Sequence, residues 1–497
     1  MKFSRLFILI IFGINLLSAQ EIHHLSLQEC IDIAKVKSFS IRHLTEEYKV
    51  AKANLTAATN RFKTQVDLNF SLPEYNETIA SFDDTTGRTI FFSTKQSRYS
   101  TDLTISQPLP TDGHIFIQSG IFHIQDISNE LNSFRLNTRI GFNQPIEAFY
   151  SYNNILSALK NAELNFELTN RQLTRTGLDL NYQTSQAYYF YLSAIETQNI
   201  AKQTLDQQTE SNNLAQNKYK AGVIAEVEAL QMEVDLVEAK NNWDLAQQRS
   251  SAQANNLKQL LGISLSDSII LESDLSFQQV DVDLETALQF GLKNRLEIRE
   301  REIAYEQAQI NIERTKVDGQ ITGNISAFYD LIGVNEEDKS VALQTNFQSA
   351  WQELKRRPGN RGVALQLRIP LWDWGVNNAQ VRAAEARLRQ RKLSSDEEKI
   401  NVEKDIRNTV NNIKSSLKRL KMLEKNIKVA ERSFEISRNR FANGEINSQS
   451  LALDRNRLSS AYQSRLSALI DYKLLLQDIT RKTFYDFVNG FEIKSES

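Results

Sequence analysis

Asn217-Lys218-Tyr219-Lys220-Ala221-Gly222, and 222 residues later Asn439-Arg440-Phe441-Ala442-Asn443-Gly444, decide how the rest of the chain is read. Both run Asn, basic, aromatic, basic or small, small, Gly, and each stands between two long helical patterns. A helix that must turn back ends best on glycine, because only glycine enters the left-handed region without a Cβ penalty. The spacing predicts one sharp helix-to-helix reversal, made twice, with the remaining sequence arranged on either side of each.

Proline placement gives the extent of those helices. Pro73, Pro108, Pro110, Pro145, Pro358 and Pro370 are the six prolines, and 146–357 and 371–497 contain none. Proline lacks a donor and clashes inside a helix, so uninterrupted helices belong in such spans. Helices are predicted over about 146–262, reversing at Gly222 and ending at Gly262, and over about 375–484, reversing at Gly444 with Asn447 or Ser448 as the next cap. The longer member of each pair is a rod of roughly 100 Å if straight. Gly177 marks a kink in the first.

Ahead of each helical pair the pattern has period two. Val66, Leu68, Phe70 and Leu72 alternate with Asp67, Asn69 and Ser71, and Leu136, Thr138, Ile140 and Phe142 alternate with Asn137, Arg139, Gly141 and Asn143. Such alternation makes a strand with one apolar and one polar face. Weaker candidates are Ser100–Gln107 and His114–His123, joined by the turn-rich 108–113. The polar stretch 73–98 reads as a surface loop. Residues 25–62 read as a helix, opened by a capping box of Ser26 and Glu29. These elements return in the second half. Leu27, Ile41, Arg42, Tyr48 and Ala51 match Leu284, Ile298, Arg299, Tyr305 and Ala308 at an offset of 257, while Gly222 matches Gly444 at 222. Strands are again expected in about 320–370, with Val363, Leu365, Leu367 and Ile369 alternating against Gly362, Ala364, Gln366 and Arg368. The first half carries the extra hairpin at 100–123. The expected organisation is a signal peptide at 1–19, a first repeat over 20–262 with strands at about 65–144, a linker at 263–280, a second repeat over 281–487 and a polar tail at 488–497.

The signal peptide rests on Lys2 and Arg5, the apolar run Leu6–Leu17, and the small residues Ser18-Ala19 before Gln20. That run is short for a membrane span, and no later stretch approaches 18 consecutive apolar residues. Net charge is −2, from 59 basic and 61 acidic residues among 497, which gives no footprint for nucleic acid. The one cysteine, Cys30, excludes a disulfide framework and a thiolate cluster, and reads as a small core residue.

Two strands per half cannot close a barrel, and an open edge in lipid leaves backbone groups unpaired. Strands of this kind in a membrane require several copies in one barrel. Four strands per chain suit a trimer with 12, favoured by the repeat symmetry, and six would give 18 if the hairpin at 100–123 also spans. Asp67, Asn69, Asn137, Arg139, Gln366 and Arg368 would then line a wet lumen. A soluble sandwich alternates in the same way. Rods of this length argue against it. The rods carry Arg382, Glu385, Arg387, Arg389, Glu397, Lys399 and Glu403, so they stand in water, packed in coiled-coil fashion.

With these features the chain resembles the TolC-like outer-membrane efflux family over 21 to about 485. The resemblance rests on Leu27-x-x-Cys30-Ile31 and Leu284-x-x-Ala287-Leu288, Tyr219-x-x-Gly222-Val223 and Phe441-x-x-Gly444-Glu445, Ala187-Tyr188-Tyr189-Phe190-Tyr191-Leu192, and Ile369-Pro370-Leu371-Trp372-Asp373-Trp374-Gly375. It implies a mainly α fold with a membrane β-barrel. Duplicated helix–strand–strand–long helix–helix units form a homotrimer whose barrel continues into a periplasmic α-helical barrel. It implies an exit duct in the outer membrane of a Gram-negative bacterium, contacting outer-membrane lipid, a periplasmic adaptor and an inner-membrane pump, in efflux or type I secretion. No chemistry and no cofactor are implied. Both reversals then become periplasmic tips, with Tyr219, Gly222, Phe441 and Gly444 facing the adaptor and Glu226, Glu228, Glu445, Ser450 and Asp454 near the aperture. The first reversal keeps an acid at Glu228. The second has Ser450 and Leu453 where an acidic ring would lie, and Phe441 and Ile446 where polar links would lie.

Signs of catalysis are lacking in the sequence. His23, His24, His43, His114 and His123 have no partner at metal-ligand spacing, though His23-His24 could take up a metal. There is no nucleophile elbow and no phosphate-cradling glycine loop. Trp372 and Trp374 read either as an interfacial aromatic belt or as packing at a strand-to-helix junction. The alternative function is an exported coiled-coil scaffold or periplasmic adaptor without a pore. Against it stand the two equivalent helix–strand units, since an adaptor would show one hairpin.

Overall fold

The computed structural model describes residues 22–83, 85–272 and 275–493. The expected signal segment and residues 494–497 of the polar tail lie outside them. Strand β1 (Ile22–Leu25) leads into α1 (Leu27–Lys37), α2 (Phe39–Asn60) and four strands, β2 (Gln65–Asp83), β3 (Thr89–Pro108), β4 (His114–Asp126) and β5 (Leu131–Pro145). A 3-10 turn at Glu147–Phe149 precedes α3 (Asn154–Lys220), which reverses into α4 (Glu226–Leu261). Next come β6 (Ser268–Leu271), α5 (Leu284–Asn294), α6 (Leu296–Val317), β7 (Thr322–Asp338), α7 (Leu343–Arg356) and β8 (Asn360–Arg368). The chain closes with α8 (Val376–Asn443), α9 (Ser448–Thr483), β9 (Tyr485–Asp486) and β10 (Phe491–Glu492).

Helix lengths recur between the two halves. Helices α1 and α5 have 11 residues each, α2 and α6 have 22, and both pairs stand 257 apart. Helices α4 and α9 have 36 each and stand 222 apart. The long α3 and α8 have 67 and 68 residues, and α3 runs through Gly177 without interruption.

Four sequence expectations change. The helix read as 25–62 is two helices, because Ser38 turns to ψ 134° and its repeat partner Arg295 to ψ 116°. The linker 263–280 contains β6, which pairs in parallel with β1 from Ile22↔Ser268 to Leu25↔Leu271. The stretch read as a surface loop at 73–98 is the outer part of the β2–β3 hairpin, whose register shifts once between Ser71 and Glu74. Pro73 lies in that shift, where a residue without a ladder donor is tolerated. Helix α7 was not foreseen. Its apolar contacts, Phe347, Ala350 and Leu354, are spaced for a helix but sit between two strands.

The chain divides into two compact units that cut across the sequence repeats. One comprises the described residues up to 46, 172–296 and 399–493. Its core gathers Leu25, Cys30 and Ala34 with Leu180, Tyr188, Tyr189 and Leu192, and with Leu257, Leu261, Ile269 and Ile470. The aromatic run at 187–192 is thereby explained. The Tyr188 hydroxyl donates to Glu272 O at 2.6 Å and that of Tyr191 to Ile269 O at 3.3 Å, so the run fastens β6 to α3. Burial pushes the Cys30 thiol up to about 12, which keeps it an inert core group.

The second unit, 47–171 with 297–398, holds one antiparallel sheet of six strands in the order β2-β3-β4-β5-β7-β8. The hairpin expected as an addition at 100–123 therefore sits inside this sheet. Among the described residues no helix is long and apolar enough to cross a membrane.

Candidate functional site

Registers across the six strands assign every side chain to one of two faces, since alternate residues point oppositely. Val66 lies opposite Ile105, Ile105 opposite Ile117, Ile117 opposite Ile140, and Ile140 opposite Tyr329. Leu68, Phe70, Leu103, Ile115, Ile121, Phe142, Ile325, Val363, Leu365 and Leu367 share that face. An apolar belt thus crosses all six strands without a break in phase. Helix α7 lies on this same face beyond the belt, where Ala350 and Leu354 pack against Leu136 with Phe134 and Leu331. A Cβ on Gly333 would stand 2.1 Å from Ala350 O, so the glycine permits that approach.

The opposite face collects the polar partners. Asp67, Asn69, Asn137, Arg139, Gln366 and Arg368 all lie on it. Asn69 Nδ2 donates across the strand pair to Asp102 at 2.9 Å. Arg139 makes a two-pronged contact with its register partner Asp330, Nε to Oδ1 at 2.5 Å and Nη2 to Oδ2 at 2.6 Å, over the Phe328 ring. Asp330 is only 7% exposed, so this pair is the best-fixed charge on the face.

At the other site, the two reversals share one geometry. Gly222 has φ +71° and Gly444 φ +81°. The Gly222 N–H reaches Tyr219 O and the Val223 N–H reaches Lys218 O, both at 2.9 Å. The Gly444 N–H reaches Phe441 O at 3.1 Å and the Glu445 N–H reaches Arg440 O at 2.9 Å. This paired bonding is the Schellman helix ending. Asn447 caps α9 by accepting from Ser450 N, whereas Ala225 offers α4 no side-chain cap.

The aromatic residues of the two turns have opposite fates. Tyr219 is 39% exposed, with Gly222 and Gly444 also at the surface. Phe441 is 2% exposed, so it does not present itself as an adaptor contact. It is buried because it joins Ala215, Met232, Phe434, Leu451 and Leu458, with Ile446 at the edge, and because Lys218 stands 4.9 Å above its ring. An apolar cluster therefore occupies the positions where polar links were sought.

The five aperture candidates also separate. Glu226 and Glu228 occupy the first turn of α4, where the helix dipole favours acids. Glu445 accepts from Arg440 and Asn443 of its own turn, at 3.2 and 3.3 Å. Ser450 donates to Asn447. Asp454 takes a hydrogen bond from Ser437 Oγ at 2.5 Å and one from Arg457 at 3.0 Å, contacts that hold its carboxyl below the usual range. Sequence reasoning missed the neighbouring Arg455. This side chain is 6% exposed, with Nη2 3.6 Å from Asp235 Oδ2, and its Nε and Nη1 find no acceptor among the described residues. Nothing in the local pattern marks it, because charged residues recur throughout α9.

His23 faces Asp267 at 3.4 Å, and among the described residues no three His, Cys, Asp or Glu side chains are grouped to hold a metal. Trp372 and Trp374 meet edge-on at 5.3 Å and are 75% and 88% exposed, so they are not packed into the junction that follows β8.

The sequence pattern of the outer membrane efflux protein family matches residues 128–263 and 340–480. No curated protein sequence matches the chain significantly. Among solved structures, the outer-membrane channel OprN is 16% identical, with 92% of this chain and 89% of that chain covered and a TM-score of 0.66. The CmeC outer membrane channel of Campylobacter jejuni is 15% identical, with 95% and 87% covered and a TM-score of 0.68. The outer membrane protein VceC of Vibrio cholerae is 15% identical, with 94% and 97% covered and a TM-score of 0.65. At these identities the likeness is one of fold.

Proposed function

Because the chain belongs to the outer membrane efflux protein family, and so is an outer-membrane channel extending into the periplasm, we propose that it is the exit duct of a tripartite efflux or type I secretion system. Three copies form one barrel in the membrane and one helical tunnel below it. The observation that carries this reading is the unbroken apolar belt across six strands, with Asp67, Asn69, Arg139 and Gln366 on the reverse face. A sheet with one face for hydrocarbon and one for water suits a wet pore wall. The polar helices joined to it cannot enter lipid and so stand in the periplasm.

In this duct the protein does no covalent chemistry. Asp67, Asn69, Asn137, Arg139, Gln366 and Arg368 line the lumen. The turns at Gly222 and Gly444 form the periplasmic mouth, where Tyr219 meets an adaptor coupled to an inner-membrane pump. Glu226 and Glu228 are the acids of that mouth, while Glu445 is paired with Arg440. Asp454 is the acid held in place by neighbours.

The test is fractionation and loss of function together. The mature protein is expected with outer membranes, as an oligomer that dissociates on heating. Its deletion is expected to raise sensitivity to exported toxic compounds. A soluble periplasmic monomer, with unchanged tolerance across a broad panel, would favour the scaffold reading instead.

A further inference from the structure

Basic residues gather at the end of the sheet remote from the long helices. Helices α2, α3, α6 and α8 all join one end of the sheet, so the β7–α7–β8 connection lies toward the other, the outer-leaflet end. Strand β7 has 17 residues and β8 only nine, and α7 occupies the apolar face beyond the start of β8. Helix α7 therefore points back toward the belt, and the chain enters β8 at the belt's rim. Four cations stand there, Lys355, Arg356 and Arg357 at the end of α7 and Arg361 in β8, all exposed. Glu353 is the only acid between 351 and 363. It engages Arg356 and, at 2.8 Å, Arg357. Lys355 instead lies 5.0 Å above the Trp351 ring, and neither it nor Arg361 meets a carboxylate among the described residues. A helix C-terminus favours cations, which accounts for Lys355 and Arg356 in the last turn of α7. It does not account for Arg361, which is on a strand.

Below these cations the belt has a trough. Phe142, Ala327 and Val363 form one row across β5, β7 and β8, and Ile140, Tyr329 and Arg361 form the next. The small Ala327 side chain leaves a gap between its larger neighbours, part of an open, mainly apolar cavity of about 510 Å³ that Tyr329 and Arg361 border. The Tyr329 ring lies over Gly359, where a Cβ would meet its Cζ at 2.4 Å, so the glycine lets the ring settle beside the start of β8. Tyr329 and Trp351 are both partly exposed, as interfacial aromatic residues are. An apolar trough, amphipathic rings at its rim and cations without a counter-ion above it suit an amphiphile with an anionic head. Arginine grips a phosphate with two parallel N–H bonds, and the apolar belt below offers no competing acid. We infer that this rim is a binding site for a phosphorylated lipid of the outer leaflet, with an acyl chain in the trough over Ala327 and a phosphate held by Arg361 and Lys355. The site rests on the reading that the sheet lies in the outer membrane with its helices in the periplasm. Four cations against one acid leave three positive charges, more than a single phosphodiester needs. The fitting head is therefore one with two phosphates, of the lipid A kind.

The experiment uses the full chain, purified as the detergent-extracted oligomer, and follows its thermal dissociation while diphosphorylated lipid A is added in mixed micelles. The wild type is expected to gain heat resistance, saturably. Arg361→Gln combined with Lys355→Gln is expected to raise the lipid concentration for half the effect by about 30-fold, the weight of two basic residues at a membrane surface. These variants alter exposed side chains and so keep the fold. Ala327→Phe, which fills the trough and leaves the charges in place, is expected to weaken the response as well. Arg389→Gln, the same charge change on the exposed side of α8, is expected to leave it unchanged. Lipid A stripped of its phosphates should act weakly, and inorganic phosphate alone should not act. No gain in the wild type, an equal gain from dephosphorylated lipid or from inorganic phosphate, or an unmoved half-point in the double variant would overturn the inference and leave the channel reading intact. Protein rather than lipid over the trough, in an image of the particle, would do the same. A soluble monomer would overturn both.

Discussion

Gly222 and Gly444 each sit in the left-handed region with open space where a Cβ would go. Substitution therefore acts through the backbone alone. Gly222→Ala and Gly444→Ala are each expected to destabilise by about 1–2 kcal/mol, the cost of that conformation for an L-residue. Asparagine, which tolerates the region better, should cost less. Thermal unfolding of the detergent-solubilised protein checks both. Asp454 gives a pH signature at the same scale. Ser437 holds its carboxyl below the ordinary range, with Arg457 adding to the effect. A carboxyl depressed in the fold contributes stability above its unfolded pKa and loses it as pH falls through the folded value. The stability gap between wild type and Asp454→Asn should be full at pH 7, shrink below about pH 4, and vanish in stronger acid. A gap that stays constant with pH would show that the Ser437 contact acts without charge. Asp235→Ala should be the more damaging change, by about 3 kcal/mol, because it takes the contacting carboxylate from the buried Arg455 and leaves only Glu238 to act on its charge.

Among the elements, α7 carries the sharpest expectation. It rests on the apolar face through Phe347, Ala350 and Leu354, while Gln344, Gln348, Trp351 and Lys355 face outward. That outward face is too polar for hydrocarbon, so α7 marks where the belt ends. Gly333→Val would drive a side chain into Ala350 O and lift the helix. Trypsin added to intact cells should then cut after Lys355 or Arg356 faster than in the wild type, and an unchanged rate would mean that α7 is held by other contacts. How much of this could be read from the sequence follows from period. The reversals, the capping box at Ser26 and the strands at 65–72 and 136–142 each show a local pattern that tertiary structure leaves alone. The outer β2–β3 hairpin did not, because Glu74, Asn76, Glu77 and Thr78 stand on both faces beyond the belt and leave no alternation to find. Helix α7 is hidden for another reason, since its apolar contacts Phe347, Ala350 and Leu354 are few and stand between two strand patterns, where they meet side chains of β5 and β7. The burial of Phe441 against the exposure of Tyr219 was also illegible, because two matching turns meet different neighbours.

At the scale of the whole molecule, the question is which face of the sheet touches water. Neighbouring residues answer it cleanly, since Leu68 and Asn69, or Leu365 and Gln366, lie side by side on one strand and face opposite ways. Both polar residues are exposed in the single chain, as are both apolar ones, so accessibility in an isolated copy does not separate them. Only closure in a membrane does. Cysteines at Asn69 and Gln366 should react with a charged, membrane-impermeant thiol reagent in intact outer membranes, and reaction should lower single-channel conductance in a planar bilayer. Cysteines at Leu68 and Leu365 should stay unlabelled until detergent strips the lipid. Equal labelling of both sets before detergent would mean that the sheet stands in water on both sides. The channel would then have to be built elsewhere in the chain. The reverse pattern, with apolar positions labelled and polar ones protected, would require the sheet to close inside out around a dry core, which the Arg139–Asp330 pair and the Asn69–Asp102 contact make costly.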